Sequence, residues 1–359
     1  MQPAFPALPL LLLPVAAAML HAQPLAAVAD SIRTHYRIPE IGYAVVSSDS
    51  IIAIGTIGVK RHGTAIAAEA GDRFHLGSNT KGITGFIAAL LVKQGAVRWD
   101  TKLFDLCPEL KRRSNRAYRG VTLVDLLTHR AGIPRMFIGD NFPPPALFHG
   151  SARERRTQFC SLLLSRKPAA PHGTPSFSNG GFIVAAVMLE RAAGRPWEQL
   201  VADLGGRLGI SPGFFYPNNG DTLQPWGHTS DLVPVPPADH YREGLLSAAG
   251  NINMSVADYA RFVQEHLRGL LGRSRLLTQP EFEFIHYGRE RYAVGWEWYR
   301  EANGRPISHH TGSAGTFCSQ AYIVPASDRA YILFTNSAPD TGLDAMEALR
   351  KIMMQRYGG

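Results

Sequence analysis

The sequence predicts an α+β fold, an α/β sandwich in which one antiparallel sheet is formed from both chain ends and flanked by helices, with a mostly helical segment inserted between those ends. Two observations lead there. Val- and Ile-rich runs punctuated by turn residues lie near the two ends of the chain, while helical periodicity fills the middle. No repeat or low-complexity tract divides the 359 residues into separate halves. Strands at both ends must then share one sheet to bury their apolar faces.

The elements follow in order. Residues 1–29 contain no Asp, Glu, Lys or Arg, and an apolar run at 8–20 is broken by Pro9 and Pro14. Small residues follow, so residues 1–22 read as a secretory signal peptide, with Ala18 or Ala22 before the cut. The run is too short and too interrupted for a membrane span, and no cysteine stands near it to take a lipid. A secreted or periplasmic protein is expected, without a transmembrane span after cleavage.

Residues 41–60 read as strand, with Ser47-Ser48-Asp49-Ser50 as the turn inside them. Residues 79–94 place Ile83, Phe86, Ile87, Leu90 and Leu91 at helical spacing, and Gly95 stops the pattern. Residues 122–128 begin on a Thr cap, and 179–193 run as a helix to Gly194. Residues 255–267 open with Ser-Val-Ala-Asp, an acidic variant of the capping box. The Pro- and Gly-rich residues 213–237 predict a long ordered loop. Residues 291–299, 317–324 and 330–335 read as strands, the last two joined by a turn at 325–328, and a helix at 341–356 closes the chain. The expected units are a sheet unit of residues 25–100 with 287–359, and a mostly helical unit with long loops at 101–286.

Composition excludes several classes. At 45% hydrophobic and 18% charged residues the chain is not disordered. Three cysteines, Cys107, Cys160 and Cys318, cannot hold a disulfide scaffold, and their apolar neighbours predict buried free thiols. The net charge is +8, but the basic clusters at Lys111-Arg112-Arg113 and Arg153–Arg156 come without zinc-ligand spacing or RNA-binding aromatics. A solvated basic surface is expected, with no nucleic-acid partner.

Neither His-Glu-x-x-His nor Gly-x-x-x-x-Gly-Lys-Ser/Thr occurs, so metal and nucleotide chemistry have no support. One catalytic pattern stands out. Of the seven lysines, only Lys81 has a serine at −3, in Ser78-Asn79-Thr80-Lys81. On a helix that spacing puts the amine one turn from the hydroxyl. The helix N-terminus favours an alkoxide and a neutral amine, which can then take the serine proton. Taken alone, the same four residues also describe a Ser cap followed by a surface Lys.

The surrounding sequence decides between these. Phe74-His-Leu-Gly-Ser78-Asn-Thr-Lys81 is followed by Tyr118-Arg-Gly-Val-Thr-Leu-Val-Asp-Leu-Leu-Thr-His-Arg-Ala-Gly-Ile-Pro134, by Gly173-Thr-Pro-Ser-Phe-Ser-Asn-Gly-Gly-Phe182, by Tyr292-Ala-Val-Gly-Trp296 and by His310-Thr-Gly-Ser313. This order, spanning about residues 29–357, resembles the serine β-lactamase-like hydrolases. The nearest branch holds class C β-lactamases, D-Ala-D-Ala carboxypeptidases, D-aminopeptidases and related esterases.

The resemblance implies a β-lactamase/transpeptidase-like fold and an acyl-enzyme mechanism. Ser78 would be the nucleophile and Lys81 its proton acceptor or the charge that tunes it. Asn179 would face the cleft and bond a substrate amide or Lys81. His310, Thr311 and Gly312 would form the strand that pairs with substrate, and the N–H groups of Ser78 and Ser313 the oxyanion hole. No metal or organic cofactor is needed, because side chains and backbone dipoles supply the parts. The substrate would be a small molecule or peptide: a peptidoglycan-type D-amino-acid peptide, a β-lactam or a small ester.

Phe177 departs from the family pattern. A tyrosine usually stands there, two residues before the asparagine, and shuttles protons between nucleophile and leaving group. Phenylalanine has no titratable group. Three readings stay open. Lys81 is the sole base, with His310 or water relaying the proton. Another hydroxyl substitutes, with Ser178 the nearest and Tyr241 a distant candidate. Or the protein is a catalytically impaired binding protein on the same scaffold. Of the remaining candidates, His129 is expected to satisfy a helix C-terminus, and His228 to lie on the substrate rim. Trp226, Trp296 and Trp298 are expected to pack in the core or the cleft wall.

Overall fold

The computed structural model describes residues 23–136, 143–236 and 244–358. The expected signal peptide at 1–22 and Tyr241 lie outside the described residues. Helix α1 (Leu25–His35) turns Leu25, Val28 and Ala29 inward. Strands β1 (Glu40–Val46) and β2 (Ile51–Gly58) pair antiparallel across a turn closed by Ser47 N–H donating to Ser50 O at 2.9 Å. The short β3 (Arg73–His75) leads to α2 (Thr80–Lys93). Then come α3 (Leu123–Leu127), α4 (Ala152–Ser165), α5 (Asn179–Ala193), α6 (Trp197–Leu208) and β4 (Gly213–Phe214). A one-turn α7 (Ser247–Gly250), β5 (Ile252–Ser255), α8 (Val256–Leu270) and α9 (Gln279–Tyr287) follow. The chain closes with β6 (Glu297–Arg300), β7 (Pro306–Ser313), β8 (Cys318–Val324), β9 (Arg329–Thr335) and α10 (Pro339–Tyr357).

Six strands form one sheet in the order β2-β1-β9-β8-β7-β6, every neighbour antiparallel. N-terminal β1 lies directly against C-terminal β9, with Tyr43 opposite Leu333 and Val45 opposite Tyr331. This is the expected α+β sheet built from both chain ends. Successive side chains point to opposite faces of a strand. Tyr43, Val45, Tyr331 and Leu333 therefore pack with Leu25, Val28, Ala345, Met346, Leu349 and Met353 of the two terminal helices. Ala44, Val46, Ile332 and Phe334 join the larger core, which includes Val256, Tyr259, Phe262 and Val263 of α8. Gly42 permits this face to close: a Cβ there would stand 2.7 Å from Val256.

Three expectations change. Of residues 291–299 only the last three are strand, in Glu297–Arg300. The stretch before it leaves the sheet to lie on α2, where a Cβ on Gly85 would meet Val294 O at 2.5 Å and a Cβ on Gly295 would meet Lys81 O at 2.4 Å. Glycines on both sides allow that approach, and a strand pattern cannot record it. A second sheet, β3-β5-β4, has strands of two to four residues, too short for a period to show. The expected loop 213–237 also contains β4 and a short helical turn, Pro217–Gly220. Cys107, Cys160 and Cys318 are buried and free, as their neighbours suggested. Among the described residues no helix is long and apolar enough to cross a membrane.

Candidate active site

Ser78 sits in a 3-10 turn, Gly77–Asn79, that runs directly into α2. Lys81 follows one turn later, fully buried, with Nζ 2.9 Å from Ser78 Oγ and 2.7 Å from the carbonyl of Ala249 in α7. Two oxygens thus hold the amine beside the hydroxyl. Burial brings the Lys81 pKa down to about 7, against the pull of Glu297, which favours the charged form. Near neutrality a large share of the amine is uncharged and able to accept a proton.

The turn is held from below. Gly77 N–H donates to His75 Nδ1 at 3.0 Å, Asn79 Nδ2 to Ser319 Oγ at 2.6 Å, and Ser319 Oγ to Leu76 O at 2.6 Å. Strand β7 lies across it. A Cβ on Gly312 would stand 2.0 Å from Leu76 O, and one on Gly77, whose φ is +50°, would stand 2.6 Å from the Ser313 backbone. Both positions need glycine, and the absent side chains let the end of β7 rest on the Ser78 turn. Thr311 is half-buried, Gly312 buried and Ser313 exposed along that edge.

The second motif enters through α5. Ser178 is its cap: Oγ accepts from Gly181 N–H at 3.0 Å and donates to Pro134 O at 2.8 Å. Asn179 is therefore the first helical residue rather than the cap. Its Nδ2 donates to Met136 O at 2.8 Å. The Phe177 ring lies 5.1 Å from Lys81 Nζ and 4.5 Å from the His129 ring. It forms an apolar wall beside the amine, shared with Phe182 at 5.6 Å.

His129 does not serve a helix end with its ring. Its backbone is left-handed, φ +58°, and Nδ1 accepts from Ser178 N–H at 3.1 Å. The ring thereby braces the second motif. His310 is buried on β7, its ring edge-on to Tyr292 at 5.8 Å, while Tyr292 lies 4.3 Å from the His129 ring. Burial, with Lys81 nearby, holds both histidines well below the ordinary imidazole value, so both are neutral near pH 7. His309 points to the opposite face of β7 and stacks on Tyr322 at 5.1 Å.

His228 is not on a substrate rim. It is fully buried, Nδ1 bonding Asn336 O at 2.8 Å and Nε2 accepting from His62 N–H at 3.0 Å, which makes it a fastener between loops. Trp296 is buried in the core against α2, and Arg61 covers Trp226 at 4.1 Å. Gly209-Ile-Ser211-Pro-Gly213 has the Gly-x-Ser-x-Gly spacing of a nucleophile elbow, yet Gly209 is the left-handed cap of α6 and Ser211 is an exposed residue after it. Nothing there resembles the strand-to-helix turn such a nucleophile needs.

Three residues reach the site in ways that the sequence reading did not assign. Ala249 acts through a backbone carbonyl. Tyr292 comes from the segment that lies on α2, and Glu297 opens β6 directly after it. A cavity of about 410 Å³ opens beside Tyr292, lined also by Thr128, His129, Arg130 and Phe177 among others. The geometry as a whole offers a hydroxyl, an adjacent amine, a backbone edge and neutral imidazoles. These are parts for acyl transfer.

A family model described as Beta-lactamase matches residues 25–352. Penicillin-binding protein 4 of Amycolatopsis lactamdurans is 25% identical over 334 residues, covering 87% of this chain and 84% of that protein. The D-alanyl-D-alanine-carboxypeptidase/endopeptidase AmpH of Escherichia coli (strain K12) is 24% identical over 299 residues, covering 78% of this chain and 75% of that one. Among solved structures, a class C beta lactamase from Rhodobacter sphaeroides superposes with a TM-score of 0.73 at 19% identity, over 93% of this chain and 99% of that chain. A Beta-Lactamase/D-Alanine Carboxypeptidase from Pseudomonas syringae does so at 0.74 and 18%, over 96% and 100%.

Proposed function

Because the chain belongs to the Beta-lactamase family, we propose that it is an exported serine hydrolase forming an acyl-enzyme on Ser78. The observation that carries this reading is the Lys81 amine, 2.9 Å from Ser78 Oγ and brought by burial to about pH 7. Lys81 takes the Ser78 proton as Oγ attacks the substrate carbonyl. The developing oxyanion sits between the N–H groups of Ser78 and Ser313, Thr311 and Gly312 line the substrate, and Asn179 and His310 orient it. Water then releases the acyl group. The relatives named for penicillin binding and D-alanyl-D-alanine carboxypeptidase activity support an amide or ester substrate of peptidoglycan, β-lactam or small-ester type. Residues 1–22 support export to the periplasm or beyond.

Purified mature protein exposed to a fluorophosphonate or a labelled penicillin should gain a mass adduct on Ser78, lost in Ser78→Ala. Phe177 favours a second reading, a binding protein without turnover. Absence of any adduct, with ligand binding unchanged in Ser78→Ala, would select it.

A further inference from the structure

We infer that Tyr292 supplies the proton-carrying phenol that Phe177 lacks, passing the Ser78 proton on to the leaving group. The inference rests on the acyl-enzyme reading and adds a residue to it. Phe177 and Tyr292 line the same cavity and lie against the same ring, His129, at 4.5 and 4.3 Å. The phenol therefore approaches from the segment on α2 instead of from the second motif.

Among the described residues, the nearby hydroxyls are spent or elsewhere. Ser178 Oγ is committed to Pro134 O and Gly181 N–H. Tyr216 OH donates to Ala314 O. Among the described residues, the buried tyrosine hydroxyls without a partner belong to Tyr118, Tyr259, Tyr287, Tyr292 and Tyr331. Of these, only Tyr292 has its ring against both His129 and His310. His310 Nδ1 and His129 Nε2 are buried and unpartnered as well. A buried polar atom without a partner costs about 1–3 kcal/mol, so three on rings that touch one another, Tyr292 against His129 and against His310, call for a shared use. Burial and Glu297 hold the hydroxyl well above the ordinary tyrosine value, which keeps it protonated and able to donate.

The step balances. The Ser78 Oγ–carbon bond forms as Lys81 takes the hydroxyl proton, and the carbonyl pair moves to oxygen. On collapse the bond to the leaving group breaks and that group takes the Tyr292 proton. The phenolate regains a proton from His310, which accepts the Lys81 proton at its other nitrogen.

The test compares two esters of one acid, p-nitrophenyl butyrate and ethyl butyrate. Nitrophenolate leaves without a proton, whereas ethoxide needs one. Tyr292→Phe should keep p-nitrophenyl butyrate turnover within a few-fold and lower ethyl butyrate turnover about 100-fold, the low end of general-acid effects. Adding Phe177→Tyr to that variant should restore most of the loss. A merely structural tyrosine would lower both esters together or neither, and either result overturns the inference. So does a wild-type protein that labels at Ser78 yet cleaves only the p-nitrophenyl ester. A wild-type protein that neither labels nor cleaves removes the acyl-enzyme reading, and the inference with it.

Discussion

At the scale of single residues the decisive quantity is the charge on Lys81. An amine brought to about 7 is a base above that pH and an ammonium below it. The initial acylation rate, followed by stopped assays across pH 5–9, should therefore fall about tenfold per unit below about pH 7. The same burial costs stability. Between about 7 and the ordinary 10.5 the unfolded chain carries a proton that the folded chain lacks, so stability rises with pH through that window. Lys81→Met should abolish acylation yet raise stability at pH 7 by about 2–4 kcal/mol and flatten this pH dependence, as denaturation at pH 7 and pH 9 would reveal. Unchanged or lower stability in that variant would show that the amine is not strained by burial. The contact between Ser78 and Lys81 was legible because their spacing is local. The roles of Ala249, Tyr292 and Glu297 were not, because each reaches the site through a contact distant in sequence.

At the scale of elements, two junctions aim the site. Strand β7 meets the Ser78 turn through Gly312, where a Cβ would come 2.0 Å from a backbone oxygen. That oxygen is not a flexible side-chain end, so one of the two backbones must move. Gly312→Ala should slow fluorophosphonate labelling of Ser78 by about 100-fold, the loss expected when an oxyanion donor is displaced. Normal labelling in a folded Gly312→Ala protein would contradict this geometry. The other junction is the α5 cap. Ser178→Ala removes one cap bond and leaves Pro134 O without its donor, and should lower stability by about 1–2 kcal/mol in a thermal or urea melt. The helix itself was legible to the residue, from 179 to 193, since its apolar period and Gly194 are local signals. Its cap was not legible, because Ser178 and Asn179 are both good caps and only the neighbouring His129 and Pro134 choose between them.

At the scale of the molecule, the helical part carries its own fastening. Arg156 of α4 is fully buried and bonds Glu190 of α5 and Glu198 of α6, while Glu190 also accepts from Trp197 N–H at 2.9 Å. Three helices meet at one guanidinium. Arg156→Ala strands the buried Glu190 carboxylate and should cost about 3–5 kcal/mol in urea denaturation. A loss under 1 kcal/mol would mean that water reaches the site. Arg156 stood in the sequence as one of a basic cluster expected to be solvated, and the burial of a charge in such a cluster is a tertiary event. The closing of the sheet was legible at this scale: strand runs at both ends, with no partner elsewhere, had to pair with each other.

The sequence by itself determined the α+β class, the Ser78–Lys81 spacing that sets the amine beside the hydroxyl, and the order of the motifs, since these rest on period and spacing along the chain. Tertiary structure decided what those groups are worth. Burial set the charge of Lys81, His129 and His310, two glycines set how closely β7 approaches Ser78, and the path of residues 292–296 over α2 brought a tyrosine to the side of the phenylalanine that stands in its place. Desolvation and close approach depend on which surfaces meet, and no local pattern encodes that.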